Sequence, residues 1–272
     1  MTKKKFMILV LIAFFGAFLW AGGNLLLPKS LRNMNQNMSQ LTNVTTNFNK
    51  NIHANEAMQT TAGLYQRIHR IIMLKSAVED KLDRKSYVKM NDIPLPFQQA
   101  VIAVEDNRFY HHYGFDVESL LRATLVNMQT GAYTEGGSTI TQQLVKNLFL
   151  NQDKNFGRKI EEFILAVDME LHYSKEEILE MYVNTIYFGS GSYGIKAASN
   201  NYFNKEPADL TLAQSALLAG VPNAPSLYSP FVDLAAAKQR QAVVLSLMAR
   251  NNYIGPSLAA EALDAPLRLA KQ

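Results

Sequence analysis

From Leu64 onward the apolar positions recur at three- and four-residue spacing, the period of helices that bury one face. Ile68, Ile71, Ile72 and Val78 predict one helix, and Tyr87 to Met90 a short strand. Ile93-Pro94-Leu95-Pro96 then interrupts the pattern before a long helix that begins near Phe97. Further helical stretches are expected over roughly 140–150, 158–172, 175–185, 193–203, 209–219 and 234–250. Between Tyr113 and Gly137, four glycines and few aliphatics after Val126 read as a flexible lid or a surface loop. Strand and helix do not alternate and no repeat is visible, so the expected fold class is mainly α.

The N-terminal segment follows different rules. Lys3, Lys4 and Lys5 precede a run from Phe6 to Leu27 without a formal charge. About 20 such residues span a bilayer core, and lysines ahead of them favour a cytoplasmic N-terminus. Residues 1–5 are therefore expected to be a cytoplasmic tail and 6–27 a single transmembrane anchor. Ala21 and Gly23 have the spacing of a signal-peptide cleavage site, the competing reading, although secretory apolar regions are usually shorter. Either reading exports the rest of the chain. Residues 28–60 are rich in Asn and read as a stalk, although Leu31, Met34, Met38, Leu41, Thr45, Phe48 and Ile52 trace a heptad stripe. Residues 61–272 remain for a folded domain.

Composition narrows the chemistry. The absence of cysteine excludes disulfides, thiolate metal sites and a cysteine nucleophile. A net charge of +4 from 27 basic and 23 acidic residues is too small to suggest nucleic acid. Gly189-Ser190-Gly191-Ser192-Tyr193-Gly194 fits a dinucleotide fingerprint, but the segment before it reads as a helix where that fold needs a strand. Ser86-Tyr87-Val88-Lys89 fits the S-x-x-K of penicillin-binding transpeptidases, yet no K-T-G follows. No phosphate-binding G-K-[ST] and no zinc-binding H-E-x-x-H is present, so neither nucleotide nor organic cofactor is expected.

The stretch from Ala100 to Pro230 carries the chemistry. Ile102, Glu105, Phe109 and His112 fall on one face at helical spacing, which sets Glu105 among apolar neighbours. Such a carboxylate has its pKa raised and suits general acid or base work; a paired surface Glu105-Asp106 is the alternative. Gly136-Gly137-Ser138-Thr139 is a flexible entry to a helix, with Thr139 and Gln142 at capping-box spacing. Thr139, Gln142, Gln143 and Lys146 form a polar stripe, and a helix N-terminus so equipped favours anions. Lys154, Arg158 and Lys159 then precede Glu162, which shares a face with Leu165, Ala166 and Met169. Two carboxylates among apolar residues beside a basic cluster imply acid–base chemistry on a sugar or a phosphoester.

These residues also fall into five ordered motifs. Glu105-Asp106-x-x-Phe109-x-x-His112-x-Gly114 is followed by Gly136-Gly-Ser-Thr-Ile-Thr-Gln-Gln143 with Lys146 and Asn147, then by Arg158-Lys159-x-x-Glu162. Glu177-Ile178-Leu179-x-x-Tyr182-x-Asn184 and Tyr193-Gly194-Ile195 with Tyr202-Phe203-x-Lys205 complete the set. Together they resemble the peptidoglycan glycosyltransferases over roughly residues 85 to 232. Val183 stands where leucine is usual and Lys154 where arginine often occurs.

The resemblance implies a lysozyme-like fold and the polymerisation of lipid II, a disaccharide-peptide on polyprenyl pyrophosphate, onto a growing glycan strand. It implies that Glu105 deprotonates the acceptor hydroxyl and that Glu162 assists departure of the pyrophosphate, with Mg2+ or Mn2+ as an optional aid. Ser138, Gln142, Gln143, Lys146, Lys154 and Arg158 would hold pyrophosphate charge. Asp106, Phe109, His112, Thr139, Asn147, Lys159 and Asn184 complete the substrate-binding set that the motifs carry over. Partners would be the membrane and other cell-wall synthesis proteins, with no nucleic acid. Only 42 residues follow Pro230, which favours a monofunctional transferase without a transpeptidase domain. A lytic enzyme of the same fold, or an inactive scaffold of the wall machinery, is the alternative.

Overall fold

The computed structural model describes residues 73–131, 136–150 and 156–270. The expected tail, anchor and stalk, and Lys154, lie outside the described residues. Among the described residues no helix is long and apolar enough to cross a membrane.

Eleven α-helices and no β-strand are found among the described residues. They are α1 (Leu74–Glu79), α2 (Leu95–Glu105), α3 (Val117–Thr130), α4 (Ile140–Phe149) and α5 (Phe156–His172). They continue as α6 (Lys175–Thr185), α7 (Gly194–Phe203), α8 (Leu212–Gly220), α9 (Pro225–Tyr228), α10 (Leu234–Arg250) and α11 (Pro256–Asp264). The chain divides into two compact units. Among the described residues, one contains 78–131, 136–150 and 165–270, and the other 73–77 with 156–164.

Local sequence fixes the helix ends. Pro94 and Pro96 flank the first residue of α2, where a missing N–H and a fixed φ suit helix entry. Thr139 with Gln142, Ser174 with Glu177 and Thr211 with Gln214 close capping boxes on α4, α6 and α8. In the larger unit, α2 packs on α8 and α10, which also pack on each other, and α4 packs on α6. Phe97, Val101, Leu144, Ile178, Leu217 and Val244 are almost fully buried there. This core holds the C-terminal end of α2 against its surroundings.

Three expectations give way. The predicted strand at Tyr87 to Met90 is instead extended chain leading into a 3-10 turn at Met90–Asp92. Its backbone partners come from a side chain: Asn184 Oδ1 accepts from Val88 N–H, and Asn184 Nδ2 donates to Val88 O, both at 2.8 Å. A side-chain amide has thus taken the place of a neighbouring strand. The lid segment is largely helical, because Asp116 caps α3 by accepting from Glu118 N–H and Gly131 ends it in the left-handed conformation. The face carrying Ile102, Glu105, Phe109 and His112 is also broken, since α2 ends at Glu105 and Phe109–His111 form a separate 3-10 turn.

At its far end the larger unit is closed by the segment after α11. Leu267 is buried, its carbonyl accepts from Gln214 Nε2 at 3.2 Å, and Ala270 N–H donates to Tyr202 O at 2.8 Å.

Candidate active site

Glu105 is the last residue of α2. It sits at the negative end of the helix dipole, which disfavours a carboxylate charge. Its Oε2 accepts a 2.7 Å hydrogen bond from Gln143 Nε2 on α4. Its Oε1 is buried with no hydrogen-bond donor. Burial pushes the Glu105 pKa above the ordinary carboxylate value; the Gln143 bond and the charges of Arg240 and Lys146 oppose that shift, and Asp106 adds to it. A carboxylate held this way has one oxygen anchored and the other without a hydrogen-bond partner.

Asp106, one residue on, has a different environment. It is buried, both its oxygens lie 2.9–3.0 Å from His112 Nε2, and Oδ2 also accepts from Ile140 N–H at the start of α4. A helix N-terminus stabilises negative charge. Adjacent carboxylates therefore divide: Asp106 ties the turn after α2 to α4, and Glu105 keeps one oxygen without a partner. Gly114 sits beside this tie with φ +78°, and a Cβ there would lie 2.7 Å from the Ala166 backbone. Only glycine fits that approach. Thr139 Oγ1 donates to Gly114 O at 2.7 Å and completes the junction.

Glu105 and Asp106 line a cavity of about 350 Å³ with Ser138, Asn223 and three arginines: Arg122 from α3, Arg240 and Arg250 from α10. The volume is that of a small-ligand site, and the arginines suit an anion. A larger cavity of about 570 Å³ lies under the C-terminal segment, lined by Lys205, Gln214, Leu258 and Arg268. Gln214 there is engaged by Thr211 N–H, Lys205 and the Leu267 carbonyl. Size alone would select that cavity. The smaller one has the partner-free carboxylate oxygen.

Of the residues singled out in the sequence, the larger unit brings Glu105, Asp106, Ser138 and Thr139 to the cavity, and Gln143 to Glu105. Lys146 is exposed and close enough for its charge to act on Glu105; Asn147 is exposed. Several others have structural partners within the fold. Phe109 is fully buried beneath the Lys175 ammonium, 4.4 Å from its ring centroid. His112 faces Asp106, Thr139 and Gln142 cap α4, and Asn184 holds Val88. In the smaller unit, Glu162 is buried and paired with Arg158 at 3.3 Å and with Lys159. Both of its oxygens are engaged by cations, and no group of three His, Cys, Asp or Glu residues able to hold a metal occurs among the described residues. This donor set does not fit Mg2+ or Mn2+.

Spacing in the sequence does not single out Arg122, Arg240 or Arg250 as site residues. Nothing in local spacing says that α10 returns to Glu105; only its packing with α2 and α8 does. Arg240 is crossed closely by Gly220, where a Cβ would lie 2.8 Å from the arginine Cγ. An Ala-Gly end to an apolar helix was the available signal.

A helical unit with a buried carboxylate beside an arginine-lined cavity is an arrangement suited to acid–base chemistry near an anion. The transglycosylase family model matches residues 73–249, and the chain belongs to that family. Penicillin-binding protein 1F of Bacillus subtilis is 48% identical over 187 residues, which is 69% of this chain and 26% of that protein. Penicillin-binding protein 1A of Aquifex aeolicus is 43% identical over 191 residues, 70% of this chain and 26% of that protein. Penicillin-binding protein 1A of Neisseria flavescens is 46% identical over 171 residues, 63% of this chain and 21% of that protein. The chain thus spans about a quarter of the length of these relatives.

Proposed function

We propose that the chain polymerises lipid II into β-1,4-linked glycan strands. The acceptor 4-hydroxyl oxygen attacks C1 of the sugar at the end of the growing strand. The C1–O bond to pyrophosphate breaks with inversion, and polyprenyl pyrophosphate leaves. Glu105 Oε1 takes the hydroxyl proton. The observation that carries this reading is that oxygen, buried and without a donor, in a residue that lines a cavity with Arg122, Arg240 and Arg250. Guanidinium groups hold the phosphates of a lipid-linked sugar by paired, charge-assisted hydrogen bonds. Glu162, with Arg158 and Lys159, is assigned to the leaving pyrophosphate on the strength of its motif.

A lytic enzyme would also place a glutamate near a sugar, but it has no pyrophosphate leaving group for three arginines to hold. Purified chain incubated with lipid II separates the readings on one gel. Polymer supports transfer; fragments from preformed strands indicate lysis, and no product from either indicates a scaffold. The S-x-x-K segment supports no penicillin chemistry in this reading. Ser86 Oγ donates to Asp83 and Lys89 pairs with Glu180, so the lysine is not aimed at the serine.

A lipid-linked substrate requires the cavity to lie near a bilayer, and α3 is suited to that. Val117, Leu121, Leu125 and Met128 recur along one face and are each more than half exposed, while Ser119 and Arg122 of the same helix reach the cavity. Replacing Leu121 and Leu125 by Ser is expected to leave polymerisation in detergent within about twofold and to lower the rate on vesicles roughly fivefold or more. Equal losses in both media would detach α3 from the bilayer.

A further inference from the structure

The hydrogen bond that anchors Glu105 continues past Gln143. Tyr182, in the middle of α6, is completely buried, and its hydroxyl donates to Gln143 Oε1 at 3.1 Å. Gln143 Nε2 donates in turn to Glu105 Oε2 at 2.7 Å. A side-chain amide has two ends of nearly the same shape, one a donor and one an acceptor, so packing alone does not decide which end meets the carboxylate. The phenol decides it. Burial first, and then the negative charges of Glu105 and Asp106, raise the Tyr182 pKa well above its usual value, so the hydroxyl keeps its proton. An O–H at that point holds the amide oxygen and turns the NH2 toward Glu105. With the amide reversed, a carbonyl would face a carboxylate and the protonated acid would be favoured.

We infer that Tyr182 is a positioning residue for the transfer reaction, acting through the Gln143 amide to keep Glu105 in the state that accepts the acceptor proton. The inference rests on Glu105 being the base in the proposed function. Packing does not require the hydroxyl, because a phenylalanine fills the same space. The Gln143 oxygen is its hydrogen-bond partner in the structure. The other charges acting on Glu105 include Asp106 beside it, Lys146 on α4 and Arg240 on α10, and Arg122 and Arg250 line the same cavity.

Tyr182→Phe in the full chain tests this. With lipid II in detergent, kcat should fall about tenfold at neutral pH with KM within about twofold, the size expected when a general base is mispresented. The acid limb of the pH profile should move upward by roughly half a unit or more, because a bond that favours the ionised form has been weakened. Gln143→Leu should show the same displaced limb, and adding Tyr182→Phe to it should change nothing further, as expected of residues acting in series. An unmoved acid limb, or a Tyr182→Phe effect that persists undiminished on Gln143→Leu, would overturn the inference. A fall in thermal stability that accounts for the whole loss of kcat would do the same. Titrating the 13C-labelled Glu105 carboxyl by NMR in both proteins reads the relay without turnover. An upward shift in Tyr182→Phe supports it and identical titration rejects it, even if the chain does not polymerise lipid II.

Discussion

Glu105→Gln should abolish polymerisation, by roughly a hundredfold or more, while the protein keeps its fold and gains rather than loses stability. The substitution preserves the side-chain shape, and an amide can still meet Gln143. What disappears is the oxygen that takes the proton. The stability half follows from the direction of the pKa shift: the folded-state value of Glu105 is raised by burial. The native state therefore holds its proton more tightly than the unfolded chain does, and stability declines as pH rises from the unfolded pKa to the folded one. Above both values the wild type bears that penalty in full and the glutamine variant does not. The two should converge in acid, below the unfolded pKa of about 4.3. Initial rates on lipid II and thermal melts at neutral and acidic pH check both halves. Near-normal turnover would remove Glu105 from its role, and a variant much less stable at neutral pH would contradict its buried setting.

Asp106→Ala is expected to do the opposite, damaging the fold and activity together. It strips the partner from His112 Nε2 and from the Ile140 N–H, both within a buried junction. Leaving such groups unpaired costs about 3 kcal/mol. For a domain of this size that is a fall of roughly ten degrees in melting temperature. Activity should drop with it, because α4 carries Gln143 and is tied to the end of α2 through Asp106. Calorimetry on the variant decides: an unchanged melting temperature would mean that the Asp106–His112 pair does not hold the junction.

These two neighbours show what a sequence can and cannot disclose. The helices around the site were legible, since capping residues such as Thr139 and Ser174 and the apolar spacing of α4 to α7 act locally. Glu105 was legible for the wrong reason. Helical spacing predicts a continuous apolar face around it, but α2 stops there and its burial comes from the packing of α2 with α8 and α10. The helix α3 was missed because its outward face is apolar without a packed partner, so glycines at its edges dominated the pattern. Arg240 and Arg250 were invisible for a related reason: charged residues on a long helix read as a solvated face until tertiary packing brings that face to a cavity. Motif spacing, in turn, cannot tell a residue that touches substrate from one that holds the residue that does. Phe109, His112 and Asn184 each have partners within the fold that their spacing does not disclose.

The chain that follows α11 bears on how the enzyme should be produced for such experiments. The family match ends at residue 249, yet α11 packs against α10, Leu267 is buried, and Gln214 and Tyr202 each bond to the backbone beyond it. A fragment trimmed at the family boundary would open the face of α10, the helix that carries Arg240 and Arg250, to water. Low yield or weak activity from such a fragment would reflect the cut, not the catalyst, and the expression boundary belongs beyond Ala270.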